Sequence, residues 1–264
     1  MTLERTGAAI SRFARRTFRS IRKRVAPHRP MVALRRSMPD LSEADFRILE
    51  EVDPYTMVSP DRLCAFIEAT RYVVNNDVPG AIVECGVWRG GASMASIKAL
   101  QSLDRTGRDF YLYDTYEGMT RPSEHDRLFD GQQAVIRFER KKIDDHSSRW
   151  CRAGLEAVKE NVLGTGYDPG RIHFVKGKVE DTIPGTAPDR IAVLRLDTDW
   201  YESTKHELEH LFPRLSRGGV LLLDDYGHWQ GARKAVDEYF AAQRIPMFLG
   251  RSDYSGRVGV KLSA

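Results

Sequence analysis

From residue 79 onward the chain alternates short apolar runs with longer amphipathic ones, and this alternation restricts its fold more than any other feature. "GAIVECG" reads as a strand, "GASMASIKALQSL" as a helix and "DFYLYD" as a second strand. The pattern continues with the helix "CRAGLEAVKENVL" and the strands "RIHFVKG" and "IAVLRLD". The helix "STKHELEHLFPRL", the strand "GGVLLLDD" and the helix "GARKAVDEYFAAQ" follow, with "IPMFLG" and "RVGVKL" as closing strands. Strands separated by helices pair in parallel through crossovers, so the expected fold is α/β: a mostly parallel sheet covered on both faces. Residues 115 to 148 break the alternation with a polar, charged stretch that reads as loop with some helix. Upstream, "LSEADFRILEEV" is helical, and "SPDRLCAFIEATRYVVNN" opens a helix with Ser59 as N-cap and Pro60 in its first turn.

Open parallel sheets bind ligands at the carboxyl ends of their strands. The strand ends here are "ECGVWRGG", "YDTYEG", "VKGKVEDT", "RLDTDWY" and "LLDDYGH". In the first, Gly86, Gly90 and Gly91 occupy the turn between strand and helix, which suits either a ligand pressed against the backbone or a tight turn that needs glycine. The spacing is not the G-x-G-x-x-G of nicotinamide enzymes, which argues against an NAD-dependent oxidoreductase. Asp114 ends the second strand, where a carboxylate can accept hydrogen bonds from both hydroxyls of a ribose.

Asp197 ends the fourth strand, and Asp224 and Asp225 end the fifth. Three converging carboxylates repel one another unless one is protonated or a cation joins them. A set of oxygen ligands with no neighbouring cysteine favours Mg²⁺ over zinc. The competing reading makes each acid a cap for the helix that follows, a role that suits Asp199 ahead of "STKHELEH".

A length of 264 residues with 41% hydrophobic content fits one large domain, or one domain with an extension. Cys64, Cys85 and Cys151 form no CxxC or zinc-finger spacing, which fits a reducing cytoplasm rather than a disulfide framework. No apolar run approaches the ~20 residues of a membrane-spanning helix. Charge is unevenly distributed. Residues 1 to 36 carry eleven Lys/Arg against Glu4, a net +10, so the overall +4 leaves −6 for the remainder. In this head, Ile10, Phe13, Ala14, Phe18, Ile21 and Val25 recur at helical spacing between arginines. Such a basic amphipathic helix suits peripheral contact with an anionic inner membrane surface, packing on its own domain or on a second copy in a homo-oligomer, or a partly ordered tail. Arginines interrupt any signal-peptide core.

The segments "PYTMVS", "AIVECGVWRGGAS", "YLYDTYEGMT", "VKGKVEDTIP", "VLRLDTDWYEST" and "GGVLLLDDYGHWQGARKAVDEY" together resemble the macrocin O-methyltransferase (TylF/MycF) family. The match runs from about residue 53 to residue 240, leaving the basic head and the last twenty residues outside. The resemblance implies a Rossmann-like class I methyltransferase: a three-layer sandwich on a mostly parallel seven-stranded sheet with an antiparallel closing strand. Residues 37–264 would form this domain, with N-terminal helices and a lid near 115–148. The implied activity is S-adenosylmethionine- and Mg²⁺-dependent O-methylation of a sugar hydroxyl on a glycosylated natural product. By resemblance Asp197, Asp224 and Asp225 hold the metal, and Asp197 is also the general base. Glu84, Gly86, Gly90 and Ser93 hold the methionine end of the cofactor, Asp114 the ribose, and Met57, Val179 and Glu180 border it. His228 is either a second base or a loop residue bonded to backbone. The competing acceptors are a cell-surface glycan or glycolipid sugar and a catechol-like phenol. A nucleic-acid- or membrane-binding module with a decayed site is disfavoured by the intact set Glu84, Asp114, Asp197, Asp224 and Asp225; no nucleic-acid partner is expected.

Overall fold

The structure is a computed structural model that describes residues 31–262 except residue 146. The basic helix expected near the N-terminus lies outside the described residues. Three helices lead in: α1 (Met31–Ser37), α2 (Glu43–Val52) and α3 (Pro60–Asn75). Ser42 and Asp45 form a reciprocal capping box at the start of α2. Ser59 caps α3 by accepting from Arg62 N–H, with Pro60 in the first turn as the sequence indicates.

The alternation then unfolds as β1 (Ala81–Cys85), α4 (Gly91–Gln101), β2 (Phe110–Asp114), α5 (Ala134–Glu139) and α6 (Leu155–Leu163). It continues with β3 (Ile172–Lys176), α7 (Val179–Thr182), β4 (Ile191–Leu196), α8 (Tyr201–Leu211), β5 (Leu215–Leu223) and α9 (Gln230–Gln243). Two short strands close the chain, β6 (Gly250–Arg251) and β7 (Arg257–Val260). The seven strands lie in the order β3-β2-β1-β4-β5-β7-β6. The first five pair in parallel, β7 runs antiparallel to β5, and β6 runs antiparallel to β7. "IPMFLG" therefore contributes only its last residue to a strand. Ile245, Met247 and Leu249 pack on the core without a ladder partner, and Phe248 faces solvent.

Strand residues alternate between the two faces of the sheet. Ile82, Phe110, Leu112, Val193 and Leu222 join one core with α2, α3, α4 and α6. Val83, Tyr113, Leu194, Leu221 and Leu223 join the other with α7, α8 and α9. The result is a three-layer sandwich. Strand order reverses between β1 and β4, and crevices for ligands open at such reversals.

Residues 115–151 run over the carboxyl ends of the strands and dock there on a separate apolar cluster. Trp150, Trp200 and Trp229 meet edge to face or tilted, with centroids 5.0–6.0 Å apart, beside Ala134 and Phe138. Asp126 fixes the same segment to α8. It is 1% exposed, and its Oδ1 accepts from Tyr201 N–H at 2.8 Å while its Oδ2 accepts from Ser123 N–H at 2.6 Å and Ser123 Oγ at 2.8 Å. An acid 75 positions upstream thus caps the helix in place of the expected Asp199; the N-cap residue of α8 is Trp200, which makes no side-chain cap bond. Gly231 allows this approach, since a Cβ there would lie 2.1 Å from Asp126 Oδ1. Asp126→Ala is expected to cost about 1–2 kcal/mol, the value of a lost helix cap, read as a lower denaturation midpoint. Gly231→Ala should show a loss of the same sign and speed proteolysis within 115–151. Wild-type stability in both variants would remove Asp126 as the fastening.

Candidate active site

The parallel register brings the strand ends together. Glu84 of β1 stands opposite Arg195 of β4, and Arg195 opposite Leu222 of β5. Gly86, with φ +87°, crosses directly against β4: a Cβ at this position would sit 2.0 Å from the carbonyl oxygen of Asp197. The crevice above is a cavity of about 350 Å³. Met57, Gly86, Asp114, Val179, Glu180, Asp197, Asp224, Asp225 and His228 all line it. Glu84, Gly90 and Ser93, grouped with them by sequence, are not in its wall. Glu84 is 1% exposed and points beneath the turn, where Ser93 Oγ donates to one of its oxygens and Arg195 pairs with the other. Gly90 is the left-handed N-cap of α4.

Asp114 is heavily engaged. Its Oδ2 accepts from Val87 N–H (2.8 Å) and Trp88 N–H (2.9 Å), and its Oδ1 from Tyr116 N–H (2.7 Å). Burial pushes its carboxyl above the usual range, and these backbone donors oppose the shift. Asp114 therefore holds the glycine turn in shape as well as facing the cavity.

Two arginines offset part of the repulsion among the carboxylates at the ends of β4 and β5. Arg195, 2% exposed, donates through Nη2 to Asp197 Oδ2 and to Asp224 Oδ1, each at 2.8 Å. Burial opposes its charge, but Asp197, Asp224 and Glu84 outweigh burial and keep it protonated. Arg62 of α3 pairs with the other oxygen of Asp224 and reaches Asp253 at 2.9 Å. The cations that join Asp197 and Asp224 in the structure are these two guanidinium groups; neither pairs with Asp225. Arg195 was signalled by a charge inside the apolar run "VLRLD"; Arg62 had no sequence signal.

Asp199 belongs to this cluster rather than to the α8 cap. Its backbone is left-handed (φ 71°), Trp229 Nε1 donates to its carboxylate at 2.5 Å, and its charge acts on Asp225. Burial, then the charge of Asp197, raises Asp199 to about 7. Asp225 is raised by burial and by Asp199 and Asp224, and its Oδ2 is buried without a partner. Asp197, a quarter of whose side chain is open, is raised by burial and by Asp224 and Asp225 against the pull of Arg195. No group of three or more His, Cys, Asp or Glu among the described residues is arranged to hold a metal ion.

His228 lies at the mouth. Its N–H donates to the Asp225 carbonyl at 2.9 Å, and its Nδ1 is 3.1 Å from Tyr254 Oη. Burial, and then Arg62, lowers its pKa. No helix among the described residues is long and apolar enough to cross a membrane.

The chain resembles three relatives in particular. It is 35% identical over 200 residues (75% of this chain, 73% of the other) to the 8-demethyl-8-(2,3-dimethoxy-alpha-L-rhamnosyl)-tetracenomycin-C 4'-O-methyltransferase of Streptomyces olivaceus. It is 31% identical over 185 residues (70% of each) to the mycinamicin III 3''-O-methyltransferase of Micromonospora griseorubida. The solved structure of the O-methyltransferase NovP superposes with a TM-score of 0.70 at 31% identity, covering 79% of this chain and 83% of that one. The macrocin-O-methyltransferase (TylF) profile matches residues 15–258, so the likeness extends beyond residues 53–240 at both ends and takes in part of the basic head and the closing strands. The glycine turn on β1, the acids ending β4 and β5 and a profile match over most of the length agree: the chain belongs to the macrocin-O-methyltransferase family.

Proposed function

We propose that this enzyme transfers a methyl group from S-adenosylmethionine to a sugar hydroxyl of a glycosylated natural product, aided by Mg²⁺. The observation that carries the reading is a single cavity bordered on one side by the glycine turn and Asp114 and on the other by Asp197, Asp224 and Asp225. By its name, the Streptomyces olivaceus relative acts on a rhamnosyl-bearing tetracenomycin.

S-adenosylmethionine supplies an electrophilic methyl group on a sulfonium. Gly86, in the cavity wall, would let the backbone approach its methionine end, while Glu84 and Ser93 brace that turn from beneath and Gly90 packs against Val158 and Val162 behind it. Asp114 would receive the ribose through the capacity left on Oδ1. Met57, Val179 and Glu180 border the remainder. Asp197 would take the proton of the acceptor hydroxyl as that oxygen receives the methyl group in exchange for the sulfonium sulfur. Holding the two reactants in line accounts for much of the rate.

Bound at Asp197, Asp224 and Asp225, Mg²⁺ would supply charge that lowers the pKa of a sugar hydroxyl. The donor chemistry fits a hard cation: the ligands are all oxygen, and the buried Oδ2 of Asp225 has no other partner. Arg62 and Arg195 occupy both oxygens of Asp224, so that residue changes partners to serve. Residues 115–148 are the lid over the acceptor in this reading, fastened by Asp126.

Calorimetry tests the cofactor: S-adenosylhomocysteine should bind and NAD should not. The reverse result would end the methyl-transfer reading for this cavity. The +10 head is proposed to make peripheral contact with anionic membrane. The full-length protein should sediment with phosphatidylglycerol vesicles at low salt, and a chain lacking residues 1–30 should not. No sedimentation of the full chain would leave packing on the domain or on a second copy as its role.

A further inference from the structure

Two large apolar side chains stand out of the surface beside the cavity: Phe129 is 66% exposed and Tyr254 60%. Isolated exposed rings are ordinary; these two are joined through a third. His228 lies between them, 6.1 Å from the Phe129 ring and 5.8 Å from the Tyr254 ring, and stands edge to face with the latter at 89°. The arrangement is held from several sides. Phe129 N–H donates to the His228 carbonyl at 3.0 Å, and Leu128 bridges Trp229. Tyr254 Oη meets His228 Nδ1 at 3.1 Å, and Arg251 Nη1 donates to the Tyr254 carbonyl at 2.7 Å.

The rings belong to three separate stretches of chain: the segment over the strand ends, the loop after β5 and the loop between β6 and β7. His228 and Tyr254 also line the cavity that holds the carboxylates, so the apolar row begins inside the polar site and runs outward past Phe129. A ligand matching both parts has a hydroxyl-rich head and a flat apolar body. Aromatic rings favour flat partners, through face and edge contacts worth more than the area they bury.

We propose that Phe129, His228 and Tyr254 form the aglycone platform of the acceptor site, selecting glycosides whose sugar carries a flat aromatic aglycone. This rests on the proposed function for the location of the sugar, but it is tested by binding without methyl transfer. Matched glycosides of several deoxyhexoses would be compared: a 4-methylumbelliferyl glycoside, an octyl glycoside and a methyl glycoside of each sugar. Binding is read by saturation-transfer NMR in the presence of S-adenosylhomocysteine. For at least one sugar the aryl glycoside should bind about tenfold more tightly than the methyl and octyl ones. Phe129→Ala and Tyr254→Ala should each remove most of that preference, whereas Phe129→Trp should retain it. Both side chains are exposed, so the variants should fold, which S-adenosylhomocysteine affinity and the melting temperature verify independently.

Absence of aryl binding for every sugar overturns the platform, as does an octyl glycoside binding as tightly as the aryl one. Wild-type aryl affinity in the Phe129→Ala, Tyr254→Ala double variant does the same. Failure of S-adenosylhomocysteine itself to bind counts against the methyl-transfer reading instead, and the aryl preference measured without it still decides the platform.

Discussion

Asp197→Asn is expected to lower methyl transfer by about 10²–10⁴-fold while leaving S-adenosylhomocysteine affinity within about threefold of wild type. The size follows from removing a group that accepts the proton of the acceptor hydroxyl. The selectivity follows from position. Asp197 ends β4, whereas the glycine turn and Asp114 belong to β1 and β2. The amide should preserve the fold, because its oxygen can still accept from Arg195 Nη2. Asp225→Asn is the companion measurement. If the unpartnered Oδ2 of Asp225 serves the metal, this variant should lose activity through weaker Mg²⁺ binding and recover part of it in excess Mg²⁺. Asp197→Asn should show no such recovery, since it lacks the base as well. EDTA should abolish wild-type turnover and Mg²⁺ restore it. Full activity in EDTA, together with wild-type rates in Asp197→Asn, would leave the two arginines as the whole explanation of the carboxylate cluster.

Replacing Arg195 should produce the largest loss of stability, about 3–5 kcal/mol for Arg195→Met in denaturant titration. One buried guanidinium serves three carboxylates: Glu84 beneath the turn, and Asp197 and Asp224 at the strand ends. Burial already pushes the pKa of Glu84 upward against the attraction of Arg195. Without the arginine, Glu84 is a carboxyl at 1% exposure with Ser93 as its remaining partner. Adding Glu84→Gln to Arg195→Met should recover part of the loss, because it removes one uncompensated charge. Arg62→Met should cost less, since its partner Asp224 keeps Arg195 and Asp253 keeps backbone donors from Ser255 and Gly256. A midpoint for Arg195→Met within about 0.5 kcal/mol of wild type would show that the ion pairs bring no net stability.

The layered α/β architecture was legible because each of the five parallel strands carries a short apolar run closed by glycine or acid, and each helix between them repeats on its own face. The same patterning located the strand ends, so the cavity-lining acids Asp114, Asp197, Asp224 and Asp225 could be named from order along the chain. Register could not be read this way. Which residues stand opposite one another across β1, β4 and β5 depends on hydrogen bonds between strands far apart in sequence, and that register alone sets Glu84 against Arg195. The charge balance of the cluster was hidden for the same reason: Arg62 reaches Asp224 across 162 residues. Local chemistry made Asp199 a sound helix cap, yet a buried acid from residue 126 reached the α8 N-terminus instead, freeing Asp199 to meet Trp229 and Asp225. By itself, then, the sequence determined the layers, the strand ends and the kinds of group gathered there, because these follow from short-range periodicity. Only the tertiary structure decided which charges neutralise which, which acid caps which helix and which rings border the cavity, because each depends on contacts between segments that the chain brings together only on folding.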